Sequence, residues 1–197
     1  MIHRTPKSGF TLIEMLISLG ILVMMLSVVL GNYKSFGTNA KFSSANEDVV
    51  LALREAQVYG ASTKGYTGVC GGMTPFDCRY GVHFTSASPN NNGFILFVDV
   101  NNNRIYDGGD TVISPQANGL SVVWGSNISI TELSCGVGIR CTNGDVSITF
   151  KRPNVDAYIA DLANSSSYDI SSIQLTDSNT SAIATVTISS AGQISLN

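Results

Sequence analysis

The sequence predicts an α+β fold, in which one long N-terminal helix packs on a C-terminal antiparallel β-sheet or small sandwich. Two observations support this prediction. An apolar run from Phe10 to Leu30, whose only charge is Glu14, is followed by a helical pattern that reaches Gly60. From Cys70 onward, short β-rich runs alternate with Gly, Asn and Pro clusters. We therefore expect a basic leader at 1–9, a transmembrane helix at 10–30, an amphipathic helix half at 31–60 and a β-rich globular head at 61–197.

The apolar run is long enough to cross a bilayer. At about 1.5 Å per residue, a helix over Phe10 to Leu30 spans roughly 30 Å. A secretory signal would have a shorter apolar region followed by a small-residue cleavage site. Arg4 and Lys7 precede the helix, so the positive-inside rule predicts a cytoplasmic N-terminus and a head on the outer side of the membrane.

Glu14 is unfavourable in a simple membrane anchor. An acidic residue costs about 2.5–3.5 kcal/mol at the centre of a bilayer, and less near its edge. Two explanations remain open. The carboxylate, one turn from the helix start, could reach the lipid headgroups, or it could pair with a positive charge supplied by another chain. A partner available in only one register would also specify how the chains align.

The stretch "GFTLIEMLISLGILVMMLSVV", from Gly9 onward, resembles the N-terminal signature of type IV prepilins and type II secretion pseudopilins. The resemblance implies that a prepilin peptidase cuts between Gly9 and Phe10 and that Phe10 is then N-methylated. It also implies that Glu14 acts in assembly, facing the new terminal amine of its own chain or of a neighbouring subunit. The fold that the resemblance implies is the type IV pilin-like α+β fold.

After the apolar run, the sequence predicts an amphipathic continuation of the helix. Ser44 and Glu47 have capping-box spacing, so the helix is either reinforced or restarted there. Gly31 and Gly37 could instead mark a softened hinge, and Gly60 is the expected helix end. An apolar stripe at helical spacing is expected to pack on the sheet rather than on a partner; it comprises Val49, Val50, Leu53 and Ala56.

Eight β-rich runs follow in the head, and we expect antiparallel strands from them. Trp124 is expected in the core, and His83 is expected to be an ordinary strand residue rather than a metal ligand. The runs are "YGVHF", "GFILFVDV", "TVIS", "LSVVWG", "ISITEL", "VSITFK", "SSIQLT" and "IATVTIS".

Between two of these runs, "DVNNNRIYDGGD" has the oxygen-ligand spacing of an EF-hand-like calcium loop. Arg104 stands at loop position six, where Gly is usual, and an Asp replaces the longer Glu at position twelve. An ion-free hairpin loop is the alternative, because Asn, Asp and Gly favour turns. Calcium is thus the one cofactor that the sequence suggests, and its candidate ligands are Asp99, Asn101, Asn103, Asp107 and Asp110.

Four cysteines form two close pairs in the sequence, Cys70 with Cys78 and Cys135 with Cys141. An even count behind an export-like N-terminus favours disulfides in an oxidising compartment. Three connectivities are allowed, and proximity favours the two local pairs. Free buried thiols are the alternative.

The head also resembles known proteins: "GFILFVDVNNNRIYDGGDTVI" and "ATVTISSAGQI" are similar to segments of H-type minor pseudopilins and their minor-pilin relatives. This resemblance implies a minor structural subunit of a type IV pilus or pseudopilus, which primes assembly or lies at the tip. The implied partners are other pilin or pseudopilin subunits, prepilin peptidase, the inner-membrane assembly platform and the lipid bilayer. The implied location is the inner membrane, and then a periplasmic or extracellular filament.

Other functions remain as alternatives. An adhesive or ligand-binding tip module would use "ANSSSYDISS" and the disulfide loops as contact surfaces, and a membrane-tethered exoprotein would merely mimic the signature. Nucleic acid is not an expected partner, because the net charge is −3 and residues 153–197 contain no Lys or Arg. Only Lys151 and Arg152 stand together nearby. The sequence has no phosphate-binding Gly loop and no catalytic His motif, so we do not expect an enzyme.

Overall fold

The computed structural model describes residues 9–62, 64–68, 70–71, 74, 76–162 and 167–197, without the side chains of 32–36 and 117. One helix, α1, runs Leu12–Ala61. It continues through Gly31, Gly37 and Ser44 without a break, so it does not restart at Ser44. The chain divides into two compact units, Met1–Lys41 and Phe42–Asn197.

In the first unit, Leu12–Gly31 is long and apolar enough to cross a membrane, with a mean hydropathy of 2.5. Its side chains are exposed throughout. The hydroxyls of Ser18 and Ser27 donate hydrogen bonds to the carbonyls of Glu14 and Met24, at 2.7 and 2.8 Å. These polar groups are therefore satisfied inside the helix, as an apolar surrounding requires.

Ten strands follow among the described residues of the second unit. Eight of them coincide with the predicted β-rich runs, while β7 and β10 were not predicted. The strands are β1 Arg79–Thr85, β2 Gly93–Asp99, β3 Thr111–Val112, β4 Val122–Val123, β5 Ile128–Cys135, β6 Asp145–Phe150, β7 Ala157–Ala160, β8 Ile170–Asp177, β9 Ala182–Ser189 and β10 Ile194–Leu196.

The strands form two antiparallel sheets. In the first sheet the order is β3-β2-β1-β6-β7, and β4 also pairs with β2. In the second sheet the order is β10-β9-β8-β5. All pairings are antiparallel, so the predicted α+β fold with an antiparallel head is confirmed.

Both sheets and the second half of α1 contribute to one hydrophobic core. Val49, Leu53 and Ala56 from α1 are fully buried there, and Val50 packs against them. The prediction that this stripe belongs to the core is confirmed. Trp124 is also buried in this core, beside Phe94 at 5.9 Å between ring centroids.

The helix ends one residue beyond the predicted Gly60, and Gly60 itself has a different role. A Cβ atom added to Gly60 would lie 2.5 Å from the carbonyl oxygen of Phe150. The backbones of α1 and β6 therefore approach each other more closely than any side chain would permit.

Candidate functional site

The candidate site lies where α1 begins. The hydroxyl Oγ1 of Thr11 accepts a hydrogen bond from the backbone N–H of Glu14 at 3.3 Å. In return, Oε2 of Glu14 accepts one from the backbone N–H of Thr11 at 3.5 Å. This reciprocal pair is a capping box, and a carboxylate in this first turn is also favoured by the helix dipole. Glu14 is thus held at the N-terminal end of the helix.

The Glu14 carboxylate is thereby hydrogen-bonded to the backbone N–H of Thr11, the residue that directly follows Phe10. Gly9 and Phe10 precede the helix, and the Phe10 side chain is 79% exposed. The predicted cleavage bond therefore lies in an accessible, non-helical segment. The rest of the predicted leader, including Arg4 and Lys7, lies outside the described residues.

Sequence reasoning missed the role of Thr11. The signal was present, because Thr11 and Glu14 have the same capping-box spacing as Ser44 and Glu47. Glu14, whose carboxylate looked unfavourable in the apolar run, is thus also the third residue of the helix and a member of the capping box. The hydrogen bonds of the capping box offset part of the cost of placing a carboxylate there.

Comparison with protein families agrees with this local geometry. The model of the prokaryotic N-terminal methylation motif matches residues 4–30. This chain carries the type IV prepilin and pseudopilin signature. No curated protein and no solved structure matches the chain.

The signature implies processing of this prepilin-like chain by prepilin peptidase and assembly with other pilin subunits. Proteins with this signature are of a structural pilin type. The exposed apolar surface of Leu12–Gly31 fits membrane anchoring followed by filament assembly. The cleavage position, the methylation of Phe10 and the assembly role of Glu14 stay predictions.

The head of the prepilin-like chain contains two disulfides, Cys70–Cys78 and Cys135–Cys141. These are the two local pairs that sequence proximity favoured. The second disulfide closes a short loop at the end of β5, and Ser134 forms an isolated bridge with Arg140 across it. Val137 and Ile139 in this loop are 90% and 59% exposed. The Ser/Asn-rich segment 163–172, the other predicted contact surface, lies partly outside the described residues.

Of the five candidate calcium ligands, Asp99 is the last residue of β2 and the other four lie in the loop between β2 and β3. Their side chains hold that loop together. Asp99 is buried and accepts the backbone N–H groups of Asn103 at 3.1 Å and of Arg104 at 2.9 Å. Asp107 accepts the side-chain amide of Asn101 at 2.9 Å. Asp110 accepts the backbone N–H of Asp107 at 3.0 Å. Arg104 has φ 75°, the left-handed conformation that Gly normally supplies at loop position six.

The carboxylates of this loop differ in acidity. Hydrogen bonds, the strongest from the backbone N–H of Gly109, lower the pKa of Asp107. Burial raises the pKa of Asp110 to about 6 and also raises that of Asp99. Within the described ranges, no group of three or more His, Cys, Asp or Glu side chains is arranged to hold a metal ion. Calcium binding by the loop stays a prediction.

His83 is a strand residue in β1, as predicted. Its ring is buried, and Nδ1 lies 3.1 Å from the hydroxyl of Ser147. Burial lowers the pKa of His83 to about 4, although the nearby Asp145 carboxylate opposes this shift. The imidazole is therefore neutral near pH 7 and hydrogen-bonded in the sheet.

Proposed function

We propose that this chain is a minor subunit of a type IV pilus or type II secretion pseudopilus, cut by prepilin peptidase between Gly9 and Phe10 and N-methylated on Phe10. One observation carries the proposal: within a methylation motif, the Glu14 carboxylate is held at the N–H of Thr11, beside the Phe10 nitrogen. Cleavage would convert that nitrogen from a neutral amide into a positive amine.

The change of charge couples processing to assembly. In an apolar surrounding, an unpaired carboxylate is costly, whereas a paired one is tolerated. The new amine of Phe10, in the same chain or in a neighbour, would provide the partner of Glu14. The exposed apolar side chains of Leu12–Gly31 would then exchange lipid for neighbouring subunits. The uncut chain would remain in the inner membrane, with its head outside.

The minor role is supported by the resemblance of the head to H-type pseudopilins and minor pilins. A subunit of this kind would prime assembly or lie at the filament tip, and it would contact other subunits and the inner-membrane assembly platform. Immunogold labelling tests this role: gold confined to one end of filaments would support it, and uniform labelling along them would contradict it.

Three variants test the assembly role of Glu14. Glu14→Ala removes the cap and the charge, Glu14→Gln removes only the charge, and Thr11→Ala removes only the hydroxyl of the cap. We expect all three to insert in the membrane. Thr11→Ala is expected to enter filaments, and both Glu14 variants are expected to stay out of them.

The measurement is mass spectrometry of the N-terminus, together with quantification of the subunit in sheared filaments. The wild-type chain should begin at a methylated Phe10 in cells that contain prepilin peptidase. An uncut Met1 terminus in those cells would contradict the processing step. Normal incorporation of Glu14→Gln would contradict the charge-pairing step.

A second proposal, an adhesive or ligand-binding tip module, is favoured by Val137 and Ile139. Both apolar side chains are exposed on a loop closed by the Cys135–Cys141 disulfide, and exposed apolar side chains on a constrained loop are suited to contact with another molecule. Replacing both residues by Ser should abolish adhesion to surfaces while leaving filaments intact. Unchanged adhesion would contradict this proposal.

A further inference from the structure

A groove of about 240 Å³ lies between α1 and the edge of the first sheet, where β3 and β4 pair with β2. Its floor is apolar, because the buried side chains of Ala52, Phe94 and Leu96 line it. Ser121 lines it too, but its hydroxyl donates to the carbonyl of Ile113 at 2.7 Å and accepts the backbone N–H of Leu96 at 2.8 Å. That hydroxyl is engaged within the sheet, so the floor offers mainly apolar contacts.

Two carboxylates of α1 line the same groove, those of Asp48 and Glu55. They are seven residues apart, so they lie on one face of the helix, about 10 Å from each other along its axis. Asp48 accepts the indole N–H of Trp124 at 3.3 Å, and this neutral donor leaves the charge of the carboxylate in place. Neither carboxylate forms an ion pair within the described part of the chain.

Arg54 follows the same helix but does not line the groove. Its Nη1 atom donates to the side-chain oxygen of Gln57 at 3.3 Å. The Gln57 amide in turn donates to the carbonyls of Val155 and Gly192, which do not line the groove either. Since no Lys or Arg among the described residues lines the groove, its two carboxylates make it acidic.

Leu51 extends the apolar surface beyond the groove. Its side chain is 63% exposed, and it lines both the groove and a second, mainly apolar cavity of about 260 Å³. Val50 and the exposed Leu196 of β10 line this second cavity, and Glu47 places a third carboxylate there. An apolar strip bordered by carboxylates therefore crosses α1 at Leu51, and exposed apolar surface with a polar border is typical of a contact site.

We propose that the groove binds a segment of a partner protein in which a large apolar side chain stands next to a Lys or Arg. Its volume is below the range of about 300–1,000 Å³ that is typical of small-molecule sites, so it suits one inserted side chain of a larger partner. The apolar side chain would contact Leu51 and Phe94, and the cation would pair with Glu55 at the rim. Complementary charge of this kind selects a partner and orients it.

The same carboxylates would repel an anionic lipid surface. All residues that line the groove belong to the unit Phe42–Asn197. The proposal therefore does not depend on cleavage of the leader or on the assembly role of Glu14.

Site-specific photo-crosslinking in intact cells tests the proposal, with benzoylphenylalanine in place of Leu51 of the full-length chain as the probe. We expect an adduct whose cross-linked peptide, sequenced by mass spectrometry, contains a Lys or Arg within two residues of a large apolar side chain. Ile183 is the control position, because its side chain is 61% exposed on β9 and does not line the groove. The probe at Ile183 should not capture this peptide.

Charge variants in the probe-bearing chain test the role of Glu55. Glu55→Gln should lower the yield of the adduct about threefold, and Glu55→Arg about tenfold because it places like charges opposite each other. Replacing the Lys or Arg of the captured peptide by Glu should restore the yield in Glu55→Arg. Asp169→Asn is the matched control, since it removes an exposed carboxylate that does not line the groove, and it should leave the yield unchanged.

Equal melting temperatures of Glu55→Arg and the wild-type chain would show that a loss of yield does not come from misfolding. Full yield in Glu55→Arg, or an equal loss in Asp169→Asn, would overturn the proposal. Absence of an adduct at Leu51, an adduct with lipid, an adduct with a second copy of this chain, or a captured peptide without Lys or Arg would overturn it as well.

Discussion

At Gly60, the packing of α1 on the first sheet leaves no room for an added methyl group. An alanine Cβ there would lie 2.5 Å from the carbonyl oxygen of Phe150 and 2.7 Å from its Cβ. Phe150 cannot move easily, because it is fully buried and β6 is paired with β1 and with β7. Overpacking of this kind costs about 1–3 kcal/mol.

Helix propensity acts in the opposite direction, since Ala is favoured over Gly by about 1 kcal/mol inside a helix. We therefore expect Gly60→Ala to lower the free energy of unfolding by about 0–2 kcal/mol net, which corresponds to a fall of up to roughly 8 °C in melting temperature for a chain of this size. Thermal unfolding in detergent micelles measures it. Trp124, the single tryptophan of the chain, is the fluorescent probe.

Gly37→Ala is the matched control in the same helix. No atom lies within 4 Å of the Cβ that it would add, so only the favourable propensity term remains and the melting temperature should rise or stay unchanged. If Gly60→Ala melted above the wild-type temperature, the close contact between α1 and β6 would not be limiting and the reasoning would be refuted.

Three further predictions concern the head. Burial lowers the pKa of His83 to about 4 in the folded chain, against about 6.5 when unfolded. Between these two pH values only the unfolded chain is protonated at His83, so the contribution of His83 to stability is lost as pH falls from 6.5 towards 4. Melting temperatures at pH 7 and pH 5 should differ less in His83→Gln than in the wild type, and equal differences would contradict this. Replacing Cys135 and Cys141 by Ser should lower stability by about 2 kcal/mol, as denaturant unfolding without reductant can measure; an unchanged midpoint would show that the loop closure contributes nothing. Calcium binding by the β2–β3 loop predicts that millimolar calcium raises the melting temperature of the wild type and not of Asp110→Asn, while no heat in calorimetry and no thermal shift would remove the calcium prediction.

Much of the fold could be predicted because its signals are local. The apolar run and the stripe of Val49, Leu53 and Ala56 have helical spacing, and eight of the strands are rich in β-branched and aromatic residues. The strand β7, "AYIA", has neither alternation nor turn residues that define it, and the three-residue β10 is shorter still. Both strands depend on pairing with a neighbour, β6 for one and β9 for the other. Such long-range pairing leaves little trace in a single sequence.

The same distinction applies to the sites. Glu14 and its motif are contiguous, so the sequence indicates them directly, and the local cysteine pairs are similar in this respect. The ion pairs of Arg79 with Asp99 and of Arg152 with Asp77 were not predicted, because the two partners of each pair are far apart in the chain. The role of Gly60 was not predicted either, because the sequence does not show that the backbone of Phe150 comes close to this glycine.

The capping box at the start of α1 has a consequence for the pairing of Glu14 with the new amine after processing. Both of its hydrogen bonds use atoms of Thr11 and Glu14, which lie on the C-terminal side of the predicted cut. Removal of the leader therefore breaks neither bond and requires no new rotamer of Glu14. The carboxylate is already oriented when the amine appears, so little conformational entropy remains to be lost when the two groups pair. Cleavage of the peptide bond would therefore change the charge at the Phe10 nitrogen while the hydrogen bonds of the capping box stay the same.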